Sequence, residues 1–281
     1  QEHSDAQYRV GCCYYFGNGV EEDNEQAVKW FLKAATQTHA AAMYRLGDCY
    51  YYGYGVEEDK QQAVAWYLKA ADLGYADAQC EMGNCYNFGI VVKEDRKKAV
   101  EWYQKAAEQN YAAAQDTLGD CYYCGEGVEK DYKQAIKWYH QAAEQGHAKA
   151  QNSLGYCYSC GEGIEKDEVQ AVEWYRKAAE SGYAMAQYNL GQCYYFGDGV
   201  EQDYAQAVEW FRKAAEQEYA NAQYRLACCY GNGEGVEKDV GQAFQWMRKA
   251  AKQNNIRAQD ELGDCYYLGE GVEKDLTQAA E

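Results

Sequence analysis

A chain of 281 residues without proline, carrying 45 acidic against 27 basic side chains, has a formal charge of −18. That balance argues against nucleic acid and anionic membrane surfaces as partners, since both need clustered lysine and arginine. No apolar run approaches the roughly 18 residues that span a bilayer. No leader segment is visible either, but the limits at Gln1 and Glu281 read as those of a piece of a longer protein whose missing start could hold one, and the cytoplasmic expectation rests on the cysteines below.

The first two units set a pattern that the rest repeats. Gly17-Asn18-Gly19-Val20 leads to Asp23, and Gly53-Tyr54-Gly55-Val56 leads to Asp59, 36 residues on. The aspartates continue without a slip through Asp95, Asp131, Asp167, Asp203 and Asp239 to Asp275. A fixed period of this kind marks a stacked repeat array, whose single core grows by addition of units. The units run 4–39, 40–75, 76–111, 112–147, 148–183, 184–219 and 220–255, with a partial unit over 256–281. The expectation is an all-α chain, a right-handed α-solenoid of helix-turn-helix repeats forming a single domain.

The third unit departs from the pattern. Its turn reads Gly89-Ile90-Val91-Val92, with Val91 where the other units have a second glycine. A β-branched residue is an outlier at positive φ, so this turn should be reshaped or strained. The fourth unit shows the elements most clearly. Ala114, Leu118, Cys121 and Tyr122 share one face of a helix over 112–124, which Gly125 and Gly127 end. Asp131 then caps a second helix, and Gln134 stands at capping-box spacing. The second helix carries Ala135, Ile136, Trp138, Tyr139, Ala142 and Ala143 and closes near Gly146. The last unit has its first helix and only the start of its second, which leaves an apolar side in need of cover.

Thirteen cysteines suggest a disulfide framework until their spacing is read. Cys13, Cys49, Cys85, Cys121, Cys157, Cys193, Cys229 and Cys265 occupy one repeat position. Side chains related by translation point the same way and do not converge as a disulfide requires. They read as small buried fillers, free thiols of a reducing compartment. Cys121-x-x-Cys124 and Cys157-x-x-Cys160 have redox or zinc spacing but sit at helix C-termini, where the dipole disfavours a thiolate. His39 and His147 share a column with Tyr75, Tyr111, Tyr183 and Tyr219 and should pack between units. No histidine has a nucleophile or acid at a recurring offset. No catalytic residue, cofactor or metal is expected.

The motif Ala-x-Ala-Gln-x-x-Leu-Gly-x-x-Tyr, then Gly-x-Gly-Val-x-x-Asp, then Ala-x-x-Trp-Tyr-x-Lys-Ala-Ala resembles the Sel-one-like repeat family, relatives of tetratricopeptide repeats. Ala148 to Gly155, Gly161 to Asp167 and Ala171 to Ala179 carry it within one unit. The resemblance spans nearly the whole chain. It implies an α-solenoid that serves as an adaptor or assembly scaffold. Some cysteine-rich relatives are associated with β-lactams, but Ser-x-x-Lys occurs nowhere here.

Columns that change from unit to unit have no evident common packing task and are the candidates for recognition. One contains Tyr8, Tyr44, Asp116, Tyr188 and Tyr224. Four residues on, a second contains Asp48, Asp120, Tyr156 and Gln192. Three further on, a third contains Tyr51, Tyr123 and Tyr195. Offsets of four and three put all three on one helical stripe. By analogy with tetratricopeptide repeats this stripe lines the concave face, a tyrosine-rich acidic groove for a peptide or protein with basic residues. Self-association of the array and a cysteine-based metal or redox sensor are the competing readings.

Overall fold

The computed structural model describes residues 2–280, and every regular element among them is a helix. The chain forms two compact units, one running to Ala142 and the other from Ala143. Within the first, helices Ala40–Tyr52 and Lys60–Asp72 form one repeat pair and Ala76–Phe88 and Arg96–Glu108 the next. Within the second, Ala148–Cys160 pairs with Glu168–Glu180, Ala184–Phe196 with Tyr204–Glu216, and Ala220–Asn232 with Val240–Lys252. The chain is thus an α-solenoid of helix-turn-helix repeats.

Each first helix ends where the glycine pattern predicts. Gly53, Gly125 and Gly197 adopt φ of 73°, 78° and 80°, and their N–H groups close the last turn onto Cys49, Cys121 and Cys193. The second glycine has a different task. A Cβ on Gly55 or Gly127 would collide with backbone of Asn24 or Arg96, at the start of the preceding repeat's second helix. Val91 nonetheless keeps φ at 64°, so the third turn is strained rather than reshaped.

The aspartate caps are in place, but the capping box is only half made. Asp59 accepts the backbone N–H of Gln62 at 3.0 Å, and Asp95 does the same for Lys98 at 3.1 Å. The reciprocal bond to the aspartate's own N–H is replaced, because that group already donates to a tyrosine carbonyl of the first helix. Asp59 donates to Tyr50 at 2.8 Å and Asp95 to Tyr86 at 2.8 Å. Gln62 turns its side chain to the cap carboxylate instead, donating Nε2 to Asp59 Oδ2 at 3.0 Å, and where Lys98 replaces the glutamine the backbone cap from Asp95 is kept. His39 and His147 also serve as caps: their Nδ1 atoms accept from Ala42 at 3.1 Å and Ala150 at 3.4 Å. His39 packs between repeats as well, stacked on Tyr8 with ring centroids 4.7 Å apart.

The core is a ladder of alanines and leucines, with Ala42, Leu46, Ala63 and Ala70 among its fully buried members. Glycine on the first helix lets an aromatic ring of the second lie flat against the backbone. A Cβ on Gly47 would strike Tyr67, on Gly83 Tyr103, and on Gly191 Phe211. In the seventh repeat the ring is replaced by Met247, and there the glycine is replaced by Ala227; both are buried. The motif glutamine joins successive helices. Gln79 donates to the carbonyl of Ala71 at 3.1 Å, meeting one of the unpaired carbonyls at that helix end, and accepts from Gln109 at 2.7 Å. Gln187 and Gln223 repeat the arrangement with Gln217 and Gln253. The second repeat has Met43 and Leu73 at these two positions, an apolar pair replacing a polar one.

Candidate functional site

The first helix has three kinds of surface. One is buried against its own second helix, one meets neighbouring repeats, and one reaches solvent. The predicted columns fall mainly on the first two. Asp48 is 8% exposed and accepts from the Tyr67 hydroxyl at 3.0 Å and from Arg45 Nη1 at 3.1 Å. Burial pushes its carboxyl up to about 6, against the opposing pull of those two donors. Asp120 accepts from Tyr139 at 2.7 Å, and Asn84 accepts from Tyr103 at 2.8 Å. Asp116 is 2% exposed.

The variation in this column has a packing cause. Where the second helix offers Tyr67, Tyr103 or Tyr139, the first offers a short oxygen acceptor: Asp48, Asn84 or Asp120. Where it offers Phe31, Phe211 or Met247, the position holds Cys12, Gln192 or Cys228. A buried hydroxyl needs a partner and a phenyl ring does not. The fifth repeat is the exception: there the position holds exposed Tyr156, and Ser159 Oγ lies 3.4 Å from the Tyr175 hydroxyl. The premise that free variation means no packing task is therefore corrected for this column outside that repeat.

The tyrosines are half-buried and mostly engaged between helices. Tyr44 packs on Tyr67 and Tyr75 with centroids 5.7 and 5.4 Å away. Tyr188 packs on Phe211 and Tyr219 at 5.9 and 5.4 Å, as Tyr8 does on Phe31 at 5.9 Å. Tyr51 meets Tyr52 edge-on at 4.9 Å, and Tyr123 meets Tyr132 at 5.2 Å. Tyr195 and Tyr224 donate to Glu234 and Glu261 of the next repeat, each at 2.7 Å. Gln192 is half-buried and donates to the Tyr188 hydroxyl at 3.1 Å. Tyr156, 46% exposed, is the one predicted residue that stands well into solvent.

The exposed stripe passes instead through the last residue of each first helix. Phe16, Tyr52, Phe88 and Phe196 are 52%, 59%, 70% and 53% exposed. Seven residues earlier along the same face in their repeats, Arg45 and Arg225 reach back over Phe16 and Phe196 at 5.6 and 5.7 Å. The sequence signal for this stripe was a column that mixes Phe, Tyr, Cys, Asn and Leu immediately before an invariant glycine. No single socket accommodates that mixture.

Every cysteine is a free thiol among the described residues. Burial pushes Cys49, Cys85, Cys121, Cys193 and Cys229 up to about 12, which holds them as thiols at neutral pH. No three His, Cys, Asp or Glu side chains gather into a metal-binding group among the described residues. No helix among them is long and apolar enough to cross a membrane.

A sequence model of the Sel1 repeat matches eight successive segments, from 4–39 through 220–255 to 256–281. The chain belongs to the Sel1 repeat family. Solved Sel1 repeat structures agree with its fold. A protective antigen of uropathogenic Escherichia coli displaying an SLR fold is 42% identical with a TM-score of 0.84, covering 98% of this chain. The match covers 59% of that antigen, so this chain spans less than two thirds of its length. A Sel1 repeat protein from Oxalobacter formigenes is 37% identical with a TM-score of 0.77, over 93% of this chain and 76% of its own. A comparison with curated protein sequences gives no match. Sel1 repeat proteins are generally non-catalytic protein-interaction scaffolds.

Proposed function

We propose that residues 1–281 act as one non-enzymatic array that holds a peptide or protein partner on the concave face lined by its first helices. The observation that carries this reading is the set of exposed aromatics on the first helices, Phe16, Tyr52 and Phe88 in the first unit and Tyr156 and Phe196 in the second. These side chains differ between repeats, whereas contacts beneath them such as Gly191 with Phe211 and Asp48 with Tyr67 are matched in pairs. Large aromatics left in solvent on a repeated scaffold supply contact area at low entropic cost. The charge of −18 favours a partner with basic residues. Half-buried Tyr44, Tyr188 and Tyr224 support the wall of this face, and Asp48, Asp116 and Asp120 shape it from below.

The test is affinity capture from the source cells on the chain and on a variant carrying Phe16→Ser, Tyr156→Ala and Phe196→Ser. A partner held by the former and lost by the latter is the expected result. A partner held by both moves the site off these aromatics, and an empty capture on both rejects the receptor reading. The exposed Ile256, Tyr267 and Leu268 of the eighth repeat, 80%, 56% and 60% accessible, favour a second reading in which another copy stacks there. Sedimentation as a monomer at high concentration would remove it.

A further inference from the structure

Two clefts in the second compact unit have one cause. The residue two places before the capping glycine is tyrosine in most repeats: Tyr15, Tyr51, Tyr123, Tyr195 and Tyr267. Where its surroundings are described, its ring lies over the second helix. Tyr195 sits 6.4 Å from Phe211 and 5.0 Å from Tyr204, and Tyr15 sits 6.1 Å from Phe31. The fifth and seventh repeats have the smallest side chains at this position, Ser159 and Gly231. Each lines a cleft bounded by the residues that the tyrosine would cover. For Ser159 these are Tyr175 and Glu168, and for Gly231 they are Met247 and Val240.

The two clefts differ in chemistry. The one at Ser159, about 350 Å³, is walled by Tyr156, Tyr175 and Tyr188. Glu168 and Asp198 stand in its lining, and its lysine, Lys166, is held by Glu168 at 2.6 Å. Gln192 Oε1 is buried there without a hydrogen-bond partner. Aromatic faces, a carboxylate and an open acceptor together suit a cationic donor. The cleft at Gly231, about 560 Å³, has an apolar floor of Ala227, Val240, Ala243, Phe244 and Met247, and Asn232, Lys238, Glu261 and Glu270 supply its polar lining. That floor suits an apolar side chain.

Resting on the receptor reading above, we propose that these clefts are the specificity pockets of the second unit, the Ser159 cleft taking an arginine or lysine and the Gly231 cleft an apolar side chain of one bound peptide. The test uses a display library of random dodecapeptides selected on the wild-type chain, with the selected peptides then measured on Ser159→Tyr and Gly231→Tyr. Both substitutions restore the residue found at the same position in five other repeats. The Cβ built on Gly231 meets nothing nearer than Ala243 at 3.8 Å, so a side chain has room to leave the helix. The wild-type chain should select peptides pairing a basic with an apolar residue. S159Y should weaken them about tenfold or more and abolish the basic preference, while G231Y should abolish the apolar one. Asp198→Lys, on an exposed turn, gives the same loss of the basic preference without filling the cleft. Selected peptides that bind all three variants as tightly as wild type overturn the pockets and leave the receptor standing. Selection of no peptide overturns both.

Discussion

At the scale of single residues, Val91 and Asp48 carry visible cost. Val91 holds φ at 64° in a turn where all seven other repeats place glycine, at φ between 69° and 77°. Left-handed backbone costs an ordinary residue roughly 1–2 kcal/mol, and glycine returns up to about 1 kcal/mol of that in unfolded-state entropy. Val91→Gly should therefore stabilise the first unit by about 1 kcal/mol, read as a raised midpoint in denaturant; an unchanged or lowered midpoint contradicts the strain. Asp48 gives a pH dependence. Its acid is weaker in the folded chain, at about 6 against an ordinary 3.8, so the folded state binds its proton more tightly. The stability this provides is complete below about 3.8 and is lost as pH rises through about 6. Asp48→Asn keeps an acceptor for Tyr67, as Asn84 does for Tyr103. It should thus gain on wild type between about pH 4 and about pH 8, by at most roughly 3 kcal/mol. Thermal unfolding at both ends of that range checks it, and a gap that does not widen with pH rejects it.

Between elements, the close approach of helices rests on matched pairs rather than on single residues. Glycine on the first helix and an aromatic ring on the second are two halves of one contact, as Gly191 and Phe211 show. Gly191→Ala drives a methyl into the ring and should cost about 1–3 kcal/mol despite alanine's better helix propensity. Phe211→Met opens the space that the methyl needs. The double variant should therefore lose less than the sum of the two single changes, with a coupling of about 1 kcal/mol or more. Ala227 with Met247 already realises that combination in the seventh repeat. Additive losses in a double-mutant cycle would show the pair to be independent. The motif glutamine is a second matched contact, since the polar pair Gln79 and Gln109 becomes Met43 and Leu73 in the second repeat. The lysine one turn after each tryptophan is a third: Lys33, Lys69 and Lys105 lie about 4 Å from the rings of Trp30, Trp66 and Trp102. In the fourth repeat, where Gln141 replaces the lysine, Lys137 stands 5.5 Å from Trp138.

For the whole molecule, the sequence by itself determined the period, the repeat limits, the helix ends at Gly125 and its equivalents, and the aspartate caps. These depend on local backbone preference and on a pattern repeated eight times, and neither needs knowledge of what lies across the interface. The strain at Val91 was legible for the same reason. Tertiary structure decided which variable columns reach solvent. Asp48 and Asp120 vary because a tyrosine hydroxyl on the second helix, 19 residues away, needs an acceptor, and such a partner is invisible when columns are read one at a time. The clefts were equally hidden. Ser159 and Gly231 look like ordinary helical substitutions until the ring that is missing above Tyr175 and Met247 is seen as open volume. Backbone conformation follows from neighbours in the chain, whereas exposure and empty space are properties of packing that only side chains brought together by the fold create.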